Sequence, residues 1–488
     1  MLPLFPILPL AQIGFPPPKI VPQQPLRPPV IRREAPPELR LPTQQIIVAP
    51  QEVRPLPGQL DEIPVFNSNS PEAIYGEGIL LSTFPPDGKV AASAHLNHPL
   101  QGRFDIFAHH IAKGRTPSDW QPIYQGVLIH NPSDRPITLE VLQGLSYVTN
   151  PDAPFIDLPS LVENPRGEVF SGPGSRLVTD LLRGLHHPIF PSQIVILPGE
   201  SQMLFNLPIR LGNARSTLIR VQTNGPVYAA SLAMPAPLVG EGTETSSKAN
   251  RGHSIPQTPV PHRPPTLAEW EKLLVEGYLA TPRDRAPTPP NFKSDRVIYG
   301  RVAGVARGSQ WQTVLADDEG ADNLTIPPVG EAFSYPLSTL SEGTFGTGQI
   351  QSAPMLVRYP DTAYAANGNY GIRYHLTLPL LNDGEESQTV AIALQTPLKE
   401  EGDANQLRFL NPPDDRVFFR GTVQIRYSDD RGILRDRLVH LVQRRGERGE
   451  VLVTLNLPPK ERREVQIDFL YPPDATPPQV LTVRTLAD

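Results

Sequence analysis

A proline stands at one position in eight of this chain, 61 in 488 residues, with 36 glycines besides. Proline lacks a backbone N–H and holds φ fixed, so breaks this frequent leave little room for long helices. Short strands between tight turns fit the spaces, and the expectation is a mostly all-β protein. The stretch Tyr124 to Leu142, YQGVLIHNPSDRPITLEVL, shows how such a unit is built. An apolar run at Val127, Leu128 and Ile129 meets the turn residues Asn131 to Pro136. Ile137, Leu139 and Val141 then alternate with Thr138 and Glu140, the period of a half-buried strand. The pattern reads as an antiparallel hairpin.

A second version lies downstream, in NYGIRYHLTLPLLNDGEESQTVAIAL. Tyr370, Ile372, Tyr374, Leu376 and Leu378 share one face, Asn382-Asp383-Gly384 makes the turn, and Val390, Ile392 and Leu394 follow. Each unit has a later partner that opens on a Leu-Pro step, Leu197 to Ile209 and Leu457 to Pro472. The repetition predicts two antiparallel β-sandwich domains of immunoglobulin-like type, with a proline-rich linker between them that carries one short helix.

Boundaries follow the proline density. Residues 1–12 (MLPLFPILPLAQ) resemble the end of a signal peptide. Residues 13–64 continue a lead with seventeen prolines in the first 64 positions, expected as extended, coreless chain. The first sandwich is placed at 65–234, with a long insertion at 146–192. In that insertion Ser175 is expected to cap a short helix whose apolar side is Leu177, Val178, Leu181 and Leu182. The linker is 235–293. Thr266-Leu267-Ala268-Glu269 forms a capping box there and opens a helix over 266–279, with Trp270, Leu273 and Leu274 on one side, as a brace for a folded unit. The second sandwich is placed at 294–488.

The charge of -6 comes from 44 basic and 50 acidic residues intermixed along the chain, with no basic stripe, so nucleic acid is not the expected partner. The chain has no cysteine, which excludes disulfides, thiolate metal sites and a cysteine nucleophile. No apolar run reaches the roughly 20 residues of a transmembrane helix.

The run FFRGTVQIRYSDD from Phe418, with the VHLVQRRGERGEVLVTLNLPPKERREVQIDFLYPP that follows it, resembles an uncharacterised, mainly cyanobacterial family, the domain of unknown function 3370. GRFDIFAHHIAKG at Gly102 to Gly114 and the unit at Tyr124 carry the same resemblance. The resemblance implies an exported or envelope-associated protein and brings no catalytic residues with it.

Three groups of side chains have chemistry to offer. His95, His98 and His109 are imidazoles that could hold a divalent metal without cysteine, although His109 and His110 must face opposite sides of one strand. Asp317, Asp318 and Asp322 could offer carboxylate oxygens to Ca²⁺, although their spacing is not that of a known calcium loop. Tyr359 and Tyr364 could form a stacking platform for sugars. The glycine-rich Gly343 to Gly348 lacks the strand-to-helix context of a phosphate cradle, and no GxSxG, HExxH or P-loop pattern occurs. No cofactor and no catalytic residue is assigned. The leading functional expectation is a non-enzymatic structural or adhesive protein of the cell envelope, located outside the cytoplasm, with an envelope polysaccharide or another envelope protein as partner. The alternatives are a carbohydrate-binding protein and a polysaccharide-processing hydrolase.

Overall fold

The computed structural model describes residues 44–239, 261–292, 296–318, 320–399, 402 and 404–487. The expected signal-peptide remnant, residues 13–43 of the proline-rich lead, and residues 240–260 and 293–295 around the expected linker lie outside them. The described chain is mostly β, with two α-helices, α1 (Ser175–Leu182) and α2 (Leu267–Glu276).

The strand Leu100–Ala112 shows how the layers are stacked. From Phe104 onward it is buried at every position but Ile111, so both faces of that part lie inside the protein. On one face Phe104 and Ile106 join Val127, Ile129, Leu139, Phe205 and Val221 in one apolar core. On the other, Phe107 joins Leu145, Leu218, Tyr374, Phe469 and Tyr471 in a second, larger core. The long strand Ala214–Pro235 links two layers. Its first part pairs with Leu100–Ala112 and Ile137–Val148, and its last part with Gly78–Ser82 and Ile123–His130. Asn224-Gly225-Pro226, though made of turn-forming residues, lies where this single strand shifts register and passes between layers.

The C-terminal half adds two more layers. Arg373–Leu381, Arg462–Leu470, Val417–Ser428 and Leu434–Arg444 pair in that order. Facing them, Ala332–Leu337, Gln479–Thr485, Gln388–Gln395 and Val451–Leu457 form another sheet. Leu376, Val423 and Ile467 from the first meet Ile392, Val453 and Val483 from the second in the larger core.

Neither unit expected as a hairpin is one. Ile123–His130 pairs with Ser201–Ile209 and Ala214–Pro235, whereas Ile137–Val148 pairs with Gln193–Ile196 and a different part of Ala214–Pro235. The two strands face each other across a core, and the turn between them arches from layer to layer. Arg373–Leu381 and Gln388–Gln395 are related in the same way. Alternation specifies one buried face but not whether the next strand lies beside it or opposite it.

The same clasp closes both arches. Asn131 donates its amide to the carbonyls of Arg135 (2.7 Å) and Ile196 (2.9 Å), and its oxygen accepts from Ser133 N (2.9 Å). Asn382 donates to Glu386 O and Leu457 O (both 2.8 Å), and its oxygen accepts from Gly384 N (3.0 Å). The backbone N–H of each asparagine bonds the carbonyl four residues after the second acceptor, Glu200 and Glu461 respectively, at 3.0 Å. The weak sequence echo is therefore an internal structural repeat.

The expected separation into two linker-joined domains is corrected by strands that pair across it. Pro64–Ser68 pairs with Ala303–Arg307, Glu52–Val53 with Ala332–Leu337, and Leu161–Glu163 with Leu434–Arg444. Gln44–Asp488 accordingly forms one compact unit. The physical reason is the second apolar face of the central sheet, which needs cover that the first half does not supply. Residues 44–64 belong to this unit too: Gln45–Pro50 pairs in full register with Gln406–Asn411, so the coreless lead does not extend to 64. The 146–192 insertion is a tie between the halves. It supplies the Leu161–Glu163 strand, and α1 packs against both Ile137–Val148 and Val417–Ser428, with Thr179 Oγ1 2.6 Å from Thr422 Oγ1. Ser175 is the first helical residue and donates to Gly172 O, while Gly174, at φ 75°, takes the cap position. The capping box of α2 forms with Thr266 as cap, and the helix ends at Glu276, three residues short of 279. Trp270 packs over Gly126, where an added Cβ would come within 2.9 Å of the indole.

Candidate ligand cleft

The strand Pro64–Ser68 places Phe66 in the smaller core and Val65 in the larger. Asn67 follows the parity of Val65, and Asn69, whose N–H still pairs with Val302 O at 2.9 Å, extends that face past the strand end. Both side chains line a cleft of about 570 Å³. Its other walls are Glu72, Asp284-Arg285, Ile298 to Val302, Leu340, the loop 366–370, Lys399 and Thr476-Pro477. These segments meet because Ala303–Arg307 pairs with Pro64–Ser68 on one side and with Ala353–Arg358 on the other. Gly368 is required in the loop, since a Cβ there would lie 2.5 Å from the ring of Tyr370. The Tyr370 hydroxyl donates to Ala475 O (3.0 Å), and burial pushes it up to about 12.

Two carboxylates stand in the cleft, and both are engaged. Glu72 is ion-paired with Arg301; burial holds its carboxyl above the usual carboxylate range against the pull of that guanidinium. Asp284 accepts from Ser70 Oγ (2.8 Å) and Glu72 N (3.0 Å). Lys399 is half-buried, its Nζ 5.7 Å from the centre of the Tyr299 ring, and burial lowers its pKa. The side-chain oxygens of Asn67 and Asn69 are different. Both residues are more than nine-tenths buried, and neither Oδ1 has a hydrogen-bond partner among the described residues. Asn67 also borders a void of about 10 Å³, the space of one water molecule, whereas Asn69 borders the cleft and not the void. A buried amide oxygen without a donor costs about 1–3 kcal/mol, so each of these two oxygens is destabilising as it stands.

The residues singled out from sequence fall elsewhere. His95 Nδ1 is 2.9 Å from Ser82 Oγ, and burial lowers its pKa to about 4; His98 is half-buried and also lowered by burial. His109 Nδ1 is 2.9 Å from Ser216 Oγ, inside the sheet, and burial takes it to about 3. Among the described residues no three histidines or carboxylates come together as a metal site. Asp317 is occupied by Thr325, whose N and Oγ1 donate to it at 2.9 and 2.6 Å. Asp318 and Asp322 are exposed, and Glu319 between them lies outside the described residues. Tyr359 is fully buried, its hydroxyl donating to Ala94 O (2.7 Å) and accepting from Ser82 N (3.0 Å), so it offers no face to a sugar. Tyr364 remains at the surface with the Arg358 guanidinium 3.8 Å above its ring. The cleft residues were missed because segments far apart in the chain, from Asn67 to Pro477, contribute them. The available signal was the pair of amides at alternate positions, Asn67 and Asn69, following the apolar Val65 and Phe66.

The chain is thus a layered, mostly β protein with a polar cleft where its two halves share a sheet. It belongs to the family described as a protein of unknown function (DUF3370), whose model matches residues 51–485. No curated protein matches it. Among solved structures, an 11S allergen from Cocos nucifera is 10% identical, covers 80% of this chain and 86% of its own, and has a TM-score of 0.09. Procruciferin, an 11S globulin from Brassica napus, is 9% identical, covers 84% of this chain and 85% of its own, and has a TM-score of 0.08. Scores so low carry no structural argument.

Proposed function

We propose that this protein is a non-enzymatic structural or adhesive component of the cell envelope that holds polysaccharide in the cleft. The observation that carries the reading is the buried, unpartnered Oδ1 of Asn69, a residue that lines a cleft of about 570 Å³, supported by the equivalent oxygen of Asn67. Sugar hydroxyls supply the donors such oxygens lack, and aromatic rings such as Tyr299 and Tyr370 offer apolar faces to the sugar ring. A location outside the cytoplasm is part of the proposal and rests on the apolar opening of the chain. So is the reading of each pair of facing layers as an immunoglobulin-like sandwich, which their shared apolar cores support.

Calorimetric titration of the full chain with a panel of oligosaccharides is the test. Saturable binding without product formation, weakened at least tenfold in Asn69→Ala, is the expected result. Silence across the panel, or unchanged binding by Asn69→Ala, overturns the reading. Fractionation of the native host must also recover the protein outside the cytoplasm.

A further inference from the structure

We infer that the cleft selects an acidic saccharide of the uronate type, with the sugar carboxylate on Lys399 and hydroxyls on Asn67 and Asn69. This rests on the saccharide reading above and adds the charge of the ligand.

The argument is one of unequal pairing. Of the charged groups that line the cleft, Arg285, Arg301 and Lys399 are cationic, and Glu72 and Asp284 are anionic, an excess of one positive charge. The anions are already spoken for. Glu72 holds Arg301, and Asp284 takes the Ser70 hydroxyl and the Glu72 N–H. Lys399 has no carboxylate at ion-pair distance among the described residues; Glu342 acts on it only through space. Its stem lies against the backbone at Gly343, where an added Cβ would come within 2.9 Å of Lys399 Cγ and 3.0 Å of its Cε. The stem is thereby restricted, and the half-buried ammonium is left facing the cleft with the Tyr299 ring on one side. A partly desolvated, unneutralised cation favours an anion far more than a solvated lysine does. Orphan acceptors on one wall and a spare cation on another call for one molecule carrying both hydroxyls and a negative group. The cleft volume lies within the range of small-molecule sites.

The experiment is calorimetric titration of the full chain with trigalacturonate, with a neutral trisaccharide of equal length, with inorganic phosphate and with glycine. Wild type is compared with Lys399→Gln and Asn69→Ala, each first matched to wild type in thermal melting. Trigalacturonate is expected to bind at least tenfold tighter than the neutral trimer, about 1.4 kcal/mol. Lys399→Gln brings the two to parity, and Asn69→Ala weakens both. Equal binding of the two trimers by wild type, or a preference that survives in Lys399→Gln, overturns the uronate assignment and leaves the saccharide reading standing. Tighter binding of phosphate or glycine than of either trimer overturns both, as does no binding at all. If Lys399→Gln does not fold, the wild-type comparison of the two trimers decides.

Discussion

Replacing Asn131 or Asn382 by alanine tests the internal repeat most directly. Both side chains are fully buried, and each joins an arch to the strand that closes its layer. Alanine at 131 removes amide donors from Arg135 O and Ile196 O and an acceptor from Ser133 N. Alanine at 382 removes the equivalent bonds to Glu386 O, Leu457 O and Gly384 N. Each lost hydrogen bond is worth about 1 kcal/mol net, and a buried carbonyl left without a donor costs about 1–3 kcal/mol more. The two variants should therefore each lose roughly 4–6 kcal/mol, and by similar amounts because each loses the same two bonds to carbonyls and one from a backbone N–H. Aspartate is the informative control. It keeps the acceptor for Ser133 N or Gly384 N but turns an oxygen toward two carbonyls, so at neutral pH it should be no better than alanine. Urea unfolding, read as the midpoint shift at constant m, supplies the values. A loss below about 1 kcal/mol at either position, or a gap of more than about 2 kcal/mol between the two alanine variants, would refute the shared-clasp argument.

Acid should unfold the protein in two stages. Burial lowers His109 to about 3 and His110 and His440 to about 4, below an unfolded value near 6.5. The unfolded chain then binds protons that the native one refuses. Stability present above about pH 6.5 is lost as pH falls toward about 4, and His110→Gln should flatten that part of the profile. Asp468 acts lower down. Burial raises its carboxyl, but the bonds from His375 and Arg373 outweigh that and hold it below the usual range. Its contribution is complete above about pH 4 and disappears as pH drops through the lowered value, so Asp468→Asn should lose stability at about pH 7 and progressively less as the pH falls below about 4. Trp270→Ala, which empties the seat of α2 on Gly126, should cost about 3–5 kcal/mol by the same urea assay. Gly371, at φ +81°, leaves no room for a Cβ beside Leu218 and Phe107; Gly371→Ala should cost about 1–3 kcal/mol, with intact folding at wild-type stability counting against close approach of the halves there.

Strand identity was legible wherever one face met a core. Leu376, Leu378 and Leu380 alternate in the sequence with less buried neighbours and are themselves fully buried. The same rule is silent on pairing. Val127 and Ile137 share a core from opposite layers, and a hairpin would have given both the same alternation. The proline rule failed at residues 44–64, where Gln45–Pro50 pairs with Gln406–Asn411 and Ala49 and Val53 join a small core with Leu407 and Phe409 supplied from far along the chain. Tyr359 misled for a related reason. Its ring and hydroxyl suit a sugar platform, but the hydroxyl is satisfied at Ala94 O, 265 residues away in the chain, and nothing local foretells that.

The cleft is the sharper case, because its meaning lies in bonds that are not made. Asn67 and Asn382 are the same side chain, and both are buried. Asn382 satisfies its amide with three backbone partners and so holds an arch. Asn67 follows the apolar pair Val65 and Phe66 in its strand, yet keeps an acceptor oxygen open. A fold seeking stability alone would place an apolar residue there at no hydrogen-bonding cost. Retaining two such oxygens beside a cleft whose Lys399 has no carboxylate at ion-pair distance among the described residues is intelligible if something polar fills the space between them. Along this segment Val65 and Phe66 fill the cores, whereas Asn67 and Asn69 line the cleft.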